Sequence, residues 1–267
     1  VSGDCLSANL HLSLWQYCLE EASDMKVLIG LPAYNEAAGI IHLFNSIASY
    51  REVSRYNIRV LLVDDGSIDN TAEIVSTYAR DHGYVTLVRH HGNKGLGEAV
   101  KTILRYALEN LKDDDVLVTM DADNTHSPLL IESMIETLNS RDLDLVVASR
   151  FTSGGYEIGL KTLRKLFSRG ARCFFKLFFR IRNLNDYSSG YRAYRVRIIR
   201  KAQERWKELI TTNGFDCMAE IAAKFSRMGV KAGEVPLILH YQQKEGASKM
   251  QVSKTVRGYF ALLAKVR

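Results

Sequence analysis

Asp115-Val-Leu-Val-Thr-Met-Asp-Ala-Asp-Asn-Thr-His-Ser-Pro128 reads as a buried strand that ends in two carboxylates and then turns into a helix. Val, Leu and Thr fill the run before Met120, as a strand interior requires. Asp121 and Asp123 are two residues apart, so on extended backbone their side chains point the same way. Two such carboxylates at the carboxyl end of a strand can share one divalent cation. Hard oxygen ligands suit Mg²⁺ or Mn²⁺, ions that commonly bind substrate phosphates as well. Asp and Asn are equally at home in a plain strand-to-helix turn, so the pair takes its meaning from its neighbours.

Working outward, residues 27–31 predict a first strand, ended at Pro32 because proline cannot donate to a ladder, and a helix from about 37 to 50. Residues 58–63 predict a second strand that stops at Asp64-Asp-Gly-Ser67, where Ser67 or Asp69 can cap a helix reaching His82. Residues 85–88 form the third, followed by Arg89-His-His-Gly-Asn-Lys-Gly-Leu-Gly97 and a helix from about 98 to 110. After Pro128 come a helix to about Asn139 and a fifth strand at 143–149. This alternation predicts an α/β fold with a mainly parallel central sheet and helices on both faces.

Ligands of open parallel sheets bind outside the carboxyl ends of the strands. There Tyr34 can offer a ring face to a base, and Glu36 stands at a helix start, where a carboxylate is favoured. Asp64 and Asp65 can take a ribose hydroxyl or a base N–H, and Arg89 and Lys94 can meet phosphates. Gly92, Gly95 and Gly97 allow close backbone approach. Their spacing is neither G-x-G-x-x-G nor a Walker A loop, which excludes both of those phosphate-binding fingerprints. His90 and His91 lack a third metal ligand and read as packing or surface residues.

The 267 residues, 46% hydrophobic and 25% charged, suit one large domain with a sizeable core. Cys5, Cys18, Cys173 and Cys217 form no C-x-x-C pair and read as free thiols of a reducing, cytoplasmic compartment. No apolar run of about 18 residues predicts a spanning helix, and no basic stretch leads an apolar one as in a secretory signal. The net charge of +6 is uneven: residues 161–207 hold 15 Lys/Arg and two acids, +13, which leaves −7 for the remainder. Such a basic block points to anionic partners. Within it Leu160, Leu163, Leu166 and Phe167 recur at helical spacing among cations, ahead of Phe174-Phe-Lys-Leu-Phe-Phe-Arg-Ile181. A basic amphipathic helix with aromatics fits a membrane interface as well as a core-facing helix with a solvated face. Arg164 and Ser168 are i, i+4 and can reach one anion together. Asp186–Tyr194 reads as a polar turn running into aromatics, 213–229 as a helix, 234–240 as a late strand, and 251–267 as a basic amphipathic helix.

Eight motifs in order resemble glycosyltransferase family 2, and within it the polyprenyl-phosphate sugar transferases. They are Pro-Ala-Tyr-Asn-Glu at 32–36, Val-Asp-Asp-Gly-Ser at 63–67, Asn-Lys-Gly-Leu-Gly at 93–97 and Met-Asp-Ala-Asp at 120–123. Ala-Ser-Arg-Phe at 148–151, Ser-Ser-Gly-Tyr-Arg-Ala-Tyr at 188–194, Glu-Val-Pro at 234–236 and Gly-Ala-Ser-Lys-Met at 246–250 follow. Each alone is weak; the ordered set is specific.

The resemblance implies a GT-A fold over residues 25–250, with a nucleotide-binding half (25–125) and an acceptor half (126–250). An N-terminal extension (1–24) and a C-terminal amphipathic helix (251–267) flank it. It implies a nucleotide site at Pro32, Tyr34, Glu36, Asp64, Asp65, Lys94, Asp121 and Ala122. A Mg²⁺ or Mn²⁺ ion would sit on Asp121, Asp123 and Thr125, where close relatives often carry Gln or Ser in place of Thr125. Arg150, Arg164, Ser168, Lys244 and Lys249 would surround an acceptor phosphate, with Asp123, Arg150, Arg164 and Ser168 carrying catalysis. Gln243 stands where the family has an Arg, and Lys244 is a point charge without its planar fork. The implied reaction is transfer of a hexose, mannose favoured, from a nucleotide sugar to a polyprenyl phosphate with inversion. The enzyme would sit peripherally on the inner face of a membrane. The same fold could instead use UDP-glucose or a soluble or cell-wall glycan acceptor. The basic charge alone also fits a nucleic-acid-binding module or a nonenzymatic membrane scaffold, though strands ending in carboxylates would repel a phosphate backbone.

Overall fold

The computed structural model describes residues 25–159, 162–240 and 252–266, those at 162–167, 240 and 252–254 by backbone alone. The N-terminal extension (1–24), Lys244 and Lys249 lie outside the described residues, as does the side chain of Arg164.

The strands are β1 (Lys26–Ala33), β2 (Asn57–Asp64), β3 (Val85–Arg89), β4 (Val116–Thr119), β5 (Leu145–Ser149), β6 (Tyr156–Ile158), β7 (Arg192–Arg195), β8 (Ala232–Pro236) and β9 (Ile238–His240). The helices are α1 (Ile40–Val53), α2 (Thr71–Asp81), α3 (Leu96–Asn110), α4 (Leu130–Ser140), α5 (Thr162–Phe178), α6 (Val196–Arg205), α7 (Cys217–Ser226) and α8 (Val252–Lys265). Seven strands form one sheet in the order β3-β2-β1-β4-β7-β5-β8, and β6 pairs with β9 in a second. Alternate residues supply the two faces of the large sheet. Val27, Ile29 and Leu31 of β1 and Val116 and Val118 of β4 share one core with α1, α2 and α4. Leu28 and Leu117 face the other, with α3 and α5 to α8. Each fully buried Val, Leu or Ile there contributes about 1.5–3 kcal/mol.

Three expectations change. Pro32 does not end the ladder: it pairs with Val63, and Ala33 with Asp64. Proline is tolerated because the β1–β4 ladder has already stopped at Gly30 and Thr119. The 186–194 turn runs into β7, which enters antiparallel between β4 and β5. The late strand at 234–240 is two strands in two sheets, parting at Leu237, whose N–H donates to the Ser149 carbonyl.

The basic block also divides. Arg197 meets Asp114, Asp142 and Asp144 at 3.4, 3.2 and 3.5 Å, and Arg200 meets Asp113 at 2.8 Å. Buried Arg192 donates to the carbonyls of Tyr187, Ser189 and Met218. These arginines tie α6 and β7 to the chain's own acids and carbonyls. Lys176, on α5, and Arg180, just after it, are exposed.

Candidate active site

In the order β3-β2-β1-β4, the chain leaves β1 toward β2 on one side and returns to β4 on the other. The loops after β1 and β4 therefore diverge, and the crevice between them is where an open sheet binds its ligand. A cavity of about 310 Å³ lies there. It is lined by Pro32, Tyr34, Glu36, Asp65, Asp121, Ala122 and Asp123, seven of the residues expected at the nucleotide and metal site. Asp64, Lys94 and Thr125 do not line it.

Each cavity loop is held by a carboxylate or hydroxyl bonded to backbone. Asp65 accepts the N–H groups of Lys94 (3.1 Å) and Gly95 (2.7 Å), and His90 Nδ1 lies 2.7 Å away. The glycine-rich loop is thus hung on Asp65, and His90 is a packing residue of that joint. Asp64 is buried beneath: Oδ1 accepts the Ser67 N–H at 3.0 Å, and Oδ2 stands 3.2 Å from Arg89 Nε without hydrogen-bond alignment. Of the two expected caps, Asp69 accepts the N–H of Thr71 at the start of α2 and Ser67 turns elsewhere. Ser67 Oγ accepts the Asn35 N–H at 2.9 Å, and Asp69 accepts from Ala37 as well as Thr71. Asn35 has φ 52°, a left-handed conformation that Asn tolerates, and its Oδ1 accepts the Ile68 N–H. These cross-loop bonds fix Tyr34 and Glu36 at the rim.

On the other side, Thr125 donates Oγ1 to Asp123 Oδ1 at 2.6 Å, and its N–H approaches the same oxygen at 3.2 Å. Thr125 therefore orients Asp123. The Asp121 N–H faces His126 Nδ1 at 3.3 Å, and His126 stacks on Tyr191 at 4.9 Å. Asp121 and Asp123 bring hard oxygen donors to one cavity wall. No cluster of three or more His, Cys, Asp or Glu fit to hold a metal occurs among the described residues. The set fits an ion that completes its shell with diphosphate oxygens and water, as Mg²⁺ and Mn²⁺ do.

The far wall was not foreseen. Asn213, Gly214, Phe215 and Asp216, at the start of α7, and Thr255 of α8 close the cavity. Asn213-Gly-Phe-Asp216 carries a polar signal at a helix start, but nothing local ties it to a site some 90 residues earlier. The glycine-rich loop does. A Cβ on Gly95 would meet the Asn213 carbonyl oxygen at 2.3 Å, and one on Gly97 the Thr212 oxygen at 1.9 Å. The expected close backbone approach is thus made by the chain itself. Behind the wall, burial, reinforced by Asp216, pushes the Cys217 thiol up to about 12 and keeps it protonated.

Arg150, expected at an acceptor phosphate, is committed to carboxylates. Nε and Nη2 form a fork on Asp186 at 2.7 and 2.8 Å, Nη2 also reaches Ser188, and Nη1 lies 3.2 Å from Glu157. Burial alone would raise the Asp186 carboxyl, but Arg150 outweighs it and holds it below the usual range. Ser168, on α5 with Arg164, has a buried Oγ with no hydrogen-bond partner among the described residues.

The sequence model of Glycosyl transferase family 2 matches residues 28–202. The chain belongs to glycosyltransferase family 2. It is 31% identical over 226 residues to the Undecaprenyl-phosphate mannosyltransferase of Micrococcus luteus, covering 85% of this chain and 88% of that one. It is 30% identical over 236 residues to the Dolichol-phosphate mannosyltransferase of Pyrococcus furiosus, covering 88% of this chain but 62% of that one, less than two thirds. Among solved structures, the fold is similar to glucosyl-3-phosphoglycerate synthase from Mycobacterium tuberculosis, crystallised with Mn²⁺, UDP and phosphoglyceric acid. That likeness has a TM-score of 0.63 at 20% identity, over 92% of this chain and 80% of that one. Mannosyl-3-phosphoglycerate synthase from Rubrobacter xylanophilus gives 0.65 at 17%, over 92% and 75%. This family 2 glycosyltransferase therefore has the GT-A fold, with the cavity at the sheet edge as its candidate active site.

Proposed function

We propose that this glycosyltransferase moves a hexose, mannose first among candidates, from a nucleotide sugar to a polyprenyl phosphate at a membrane surface. The observation that carries the reading is the 31% identity to an undecaprenyl-phosphate mannosyltransferase across 88% of that protein. In the reaction, an acceptor phosphate oxygen attacks the anomeric carbon from the face opposite the diphosphate. The bond from that carbon to the diphosphate oxygen breaks, the nucleoside diphosphate leaves with the electron pair, and the configuration inverts. The acceptor oxygen is already anionic, so no strong base is required. Tyr34, Pro32 and Glu36 hold the base and ribose, with Asp65 fixing the loop beside them. Asp121 and Asp123 would hold a Mg²⁺ or Mn²⁺ ion, which offsets the charge developing on the leaving diphosphate. Thr125 acts through Asp123.

On the acceptor side, Arg164 and Ser168 receive the phosphate, with Lys244 and Lys249 as further cations, while Arg150 anchors the end of β5 to Asp186. Membrane contact is supported by the outer face of α5 and α8. Leu177, Phe178 and Phe260 are 75%, 43% and 60% exposed, and Phe174 joins them at ring distances of 5.0 and 5.2 Å. Lys176, Arg180 and Arg257 are exposed on the same two helices and their flank, as a peripheral contact with anionic lipid requires. No helix among the described residues is long and apolar enough to cross a membrane.

The test is a donor screen of labelled GDP-mannose against UDP-sugars, with polyprenyl phosphate and Mn²⁺. Label in a solvent-extractable, mild-acid-labile lipid is expected from GDP-mannose. Label appearing only in a glycan would sink the lipid acceptor.

A further inference from the structure

Residues 206–216, between α6 and α7, have no regular structure, and their last four form the far wall of the cavity. Buried irregular backbone needs partners for its N–H and C=O groups. Glu220 and Lys224, one turn apart on α7 and 0% and 3% exposed, supply them. The Glu220 carboxylate accepts the N–H and hydroxyl of Thr211, both at 2.8 Å, and those of Thr212, both at 3.1 Å. Lys224 Nζ donates to Glu220 at 2.8 Å and to the carbonyls of Glu208 and Leu209 at 2.7 and 3.2 Å. On the opposite side the Thr212 and Asn213 carbonyls press on Gly97 and Gly95, and the Gly97 N–H donates to Asn213 O at 3.2 Å.

We infer that the Glu220–Lys224 pair is a positioning device for the donor cavity. It holds segment 208–212 against the start of α3, and so sets Asn213–Asp216 at the distance a nucleotide needs. Neither side chain lines the cavity, so the pair acts through the wall and not by contact. A buried ion pair adds little stability over apolar residues of the same volume, because desolvation offsets the attraction. What it supplies here is geometry: one carboxylate collects two successive N–H groups and two hydroxyls, and one ammonium collects two carbonyls. The inference rests on the cavity being the nucleotide site.

The experiment titrates the full chain and two variants, Glu220→Gln and Thr212→Val, with GDP and with UDP in the presence of Mn²⁺. Thermal melting and the KM for polyprenyl phosphate are followed in parallel. Glu220→Gln keeps one oxygen for the two N–H donors but turns an amide NH2 toward the Lys224 ammonium and the Thr211 hydroxyl, which lose their acceptor; its nucleotide Kd should rise about tenfold, while the acceptor KM stays within about twofold. Thr212→Val removes one side-chain bond and should raise the Kd about two- to threefold. An unchanged nucleotide Kd in the folded variants, or equal losses for nucleotide and acceptor, would overturn the positioning role. If Glu220→Gln does not fold, Thr212→Val decides. A parent chain that binds neither nucleotide would overturn the donor-site reading, and the positioning role with it.

Discussion

The two halves of this glycosyltransferase hold their loops by different chemistry. In residues 25–125, the half proposed to bind the nucleotide, carboxylates and hydroxyls at strand ends accept backbone N–H groups: Asp65 from Lys94 and Gly95, Asp64 from Ser67, and Ser67 from Asn35. In residues 126–250, the half proposed to take the acceptor, buried or nearly buried cations meet buried acids and carbonyls: Arg150 with Asp186, Lys224 with Glu220, and Arg192 with three carbonyls. One half therefore presents a rigid rim to a small polar ligand, while the other is braced from within and leaves an apolar, cationic outer face. Sequence distance does not separate the two kinds: Ser67 reaches Asn35 across 32 positions and Asp65 reaches Gly95 across 30, while Lys224 and Glu220 stand one helical turn apart.

The largest expected effect breaks the nucleotide half at its centre. Asp123→Ala should lower Mn²⁺-dependent transfer by about 10³-fold, because one of the two carboxylates proposed to hold the cation is lost. Its melting temperature should stay close to that of the parent. Residual activity near the parental level would remove Asp123 from the reaction.

A different contrast explains what could be read from sequence. Pro32, Tyr34, Glu36, Asp65 and the 121–123 triplet were legible because each follows a continuous apolar run that gives way to turn residues. Asn213–Asp216 and Thr255 were not, since only the packing of α7 and α8 brings them to the cavity. β7 was hidden for a related reason: Arg192-Ala-Tyr-Arg195 carries no strand pattern, and its burial depends on carbonyl partners that include Met218, 26 residues on. The basic block misled by composition, because charge counts cannot tell an Arg197 facing three acids from a Lys176 facing solvent.

A second prediction breaks the acceptor half. Arg150→Met leaves Asp186 buried without its fork and should destabilise the fold by about 3–5 kcal/mol, measured by urea denaturation. Adding Asp186→Asn should recover part of that loss. The pH dependence has a fixed sign. Asp186 titrates below its ordinary 3.8, so the pair's stability is present above that value and is lost as pH falls through the depressed one. The parent should therefore lose stability in acid more steeply than the double variant; parallel curves would mean that Asp186 is not held ionised.

Asp65→Asn probes the rim without touching the cation. One oxygen remains, but an amide now faces N–H donors. The lost bonds are worth about 1–3 kcal/mol, which corresponds to a nucleotide Kd weaker by about 5- to 140-fold. Acceptor KM should hold. A loss confined to the acceptor side would place the glycine-rich loop with the wrong substrate.

The smallest expected effect sharpens the cation site. Thr125 lies two residues from Asp123 and bonds it at 2.6 Å, a joint of the nucleotide-half type. If its role is to orient Asp123, Thr125→Val should lower kcat by about fivefold, the equivalent of about 1 kcal/mol. The Mn²⁺ concentration for half-maximal activity should move less than about twofold, and Thr125→Ser should behave like the parent. If Thr125 instead belongs to the ion's own shell, the Val variant should demand much more Mn²⁺. The two outcomes separate a residue that touches the cation from one that aims the carboxylate at it. The observed bond between Thr125 Oγ1 and Asp123 Oδ1 favours the second.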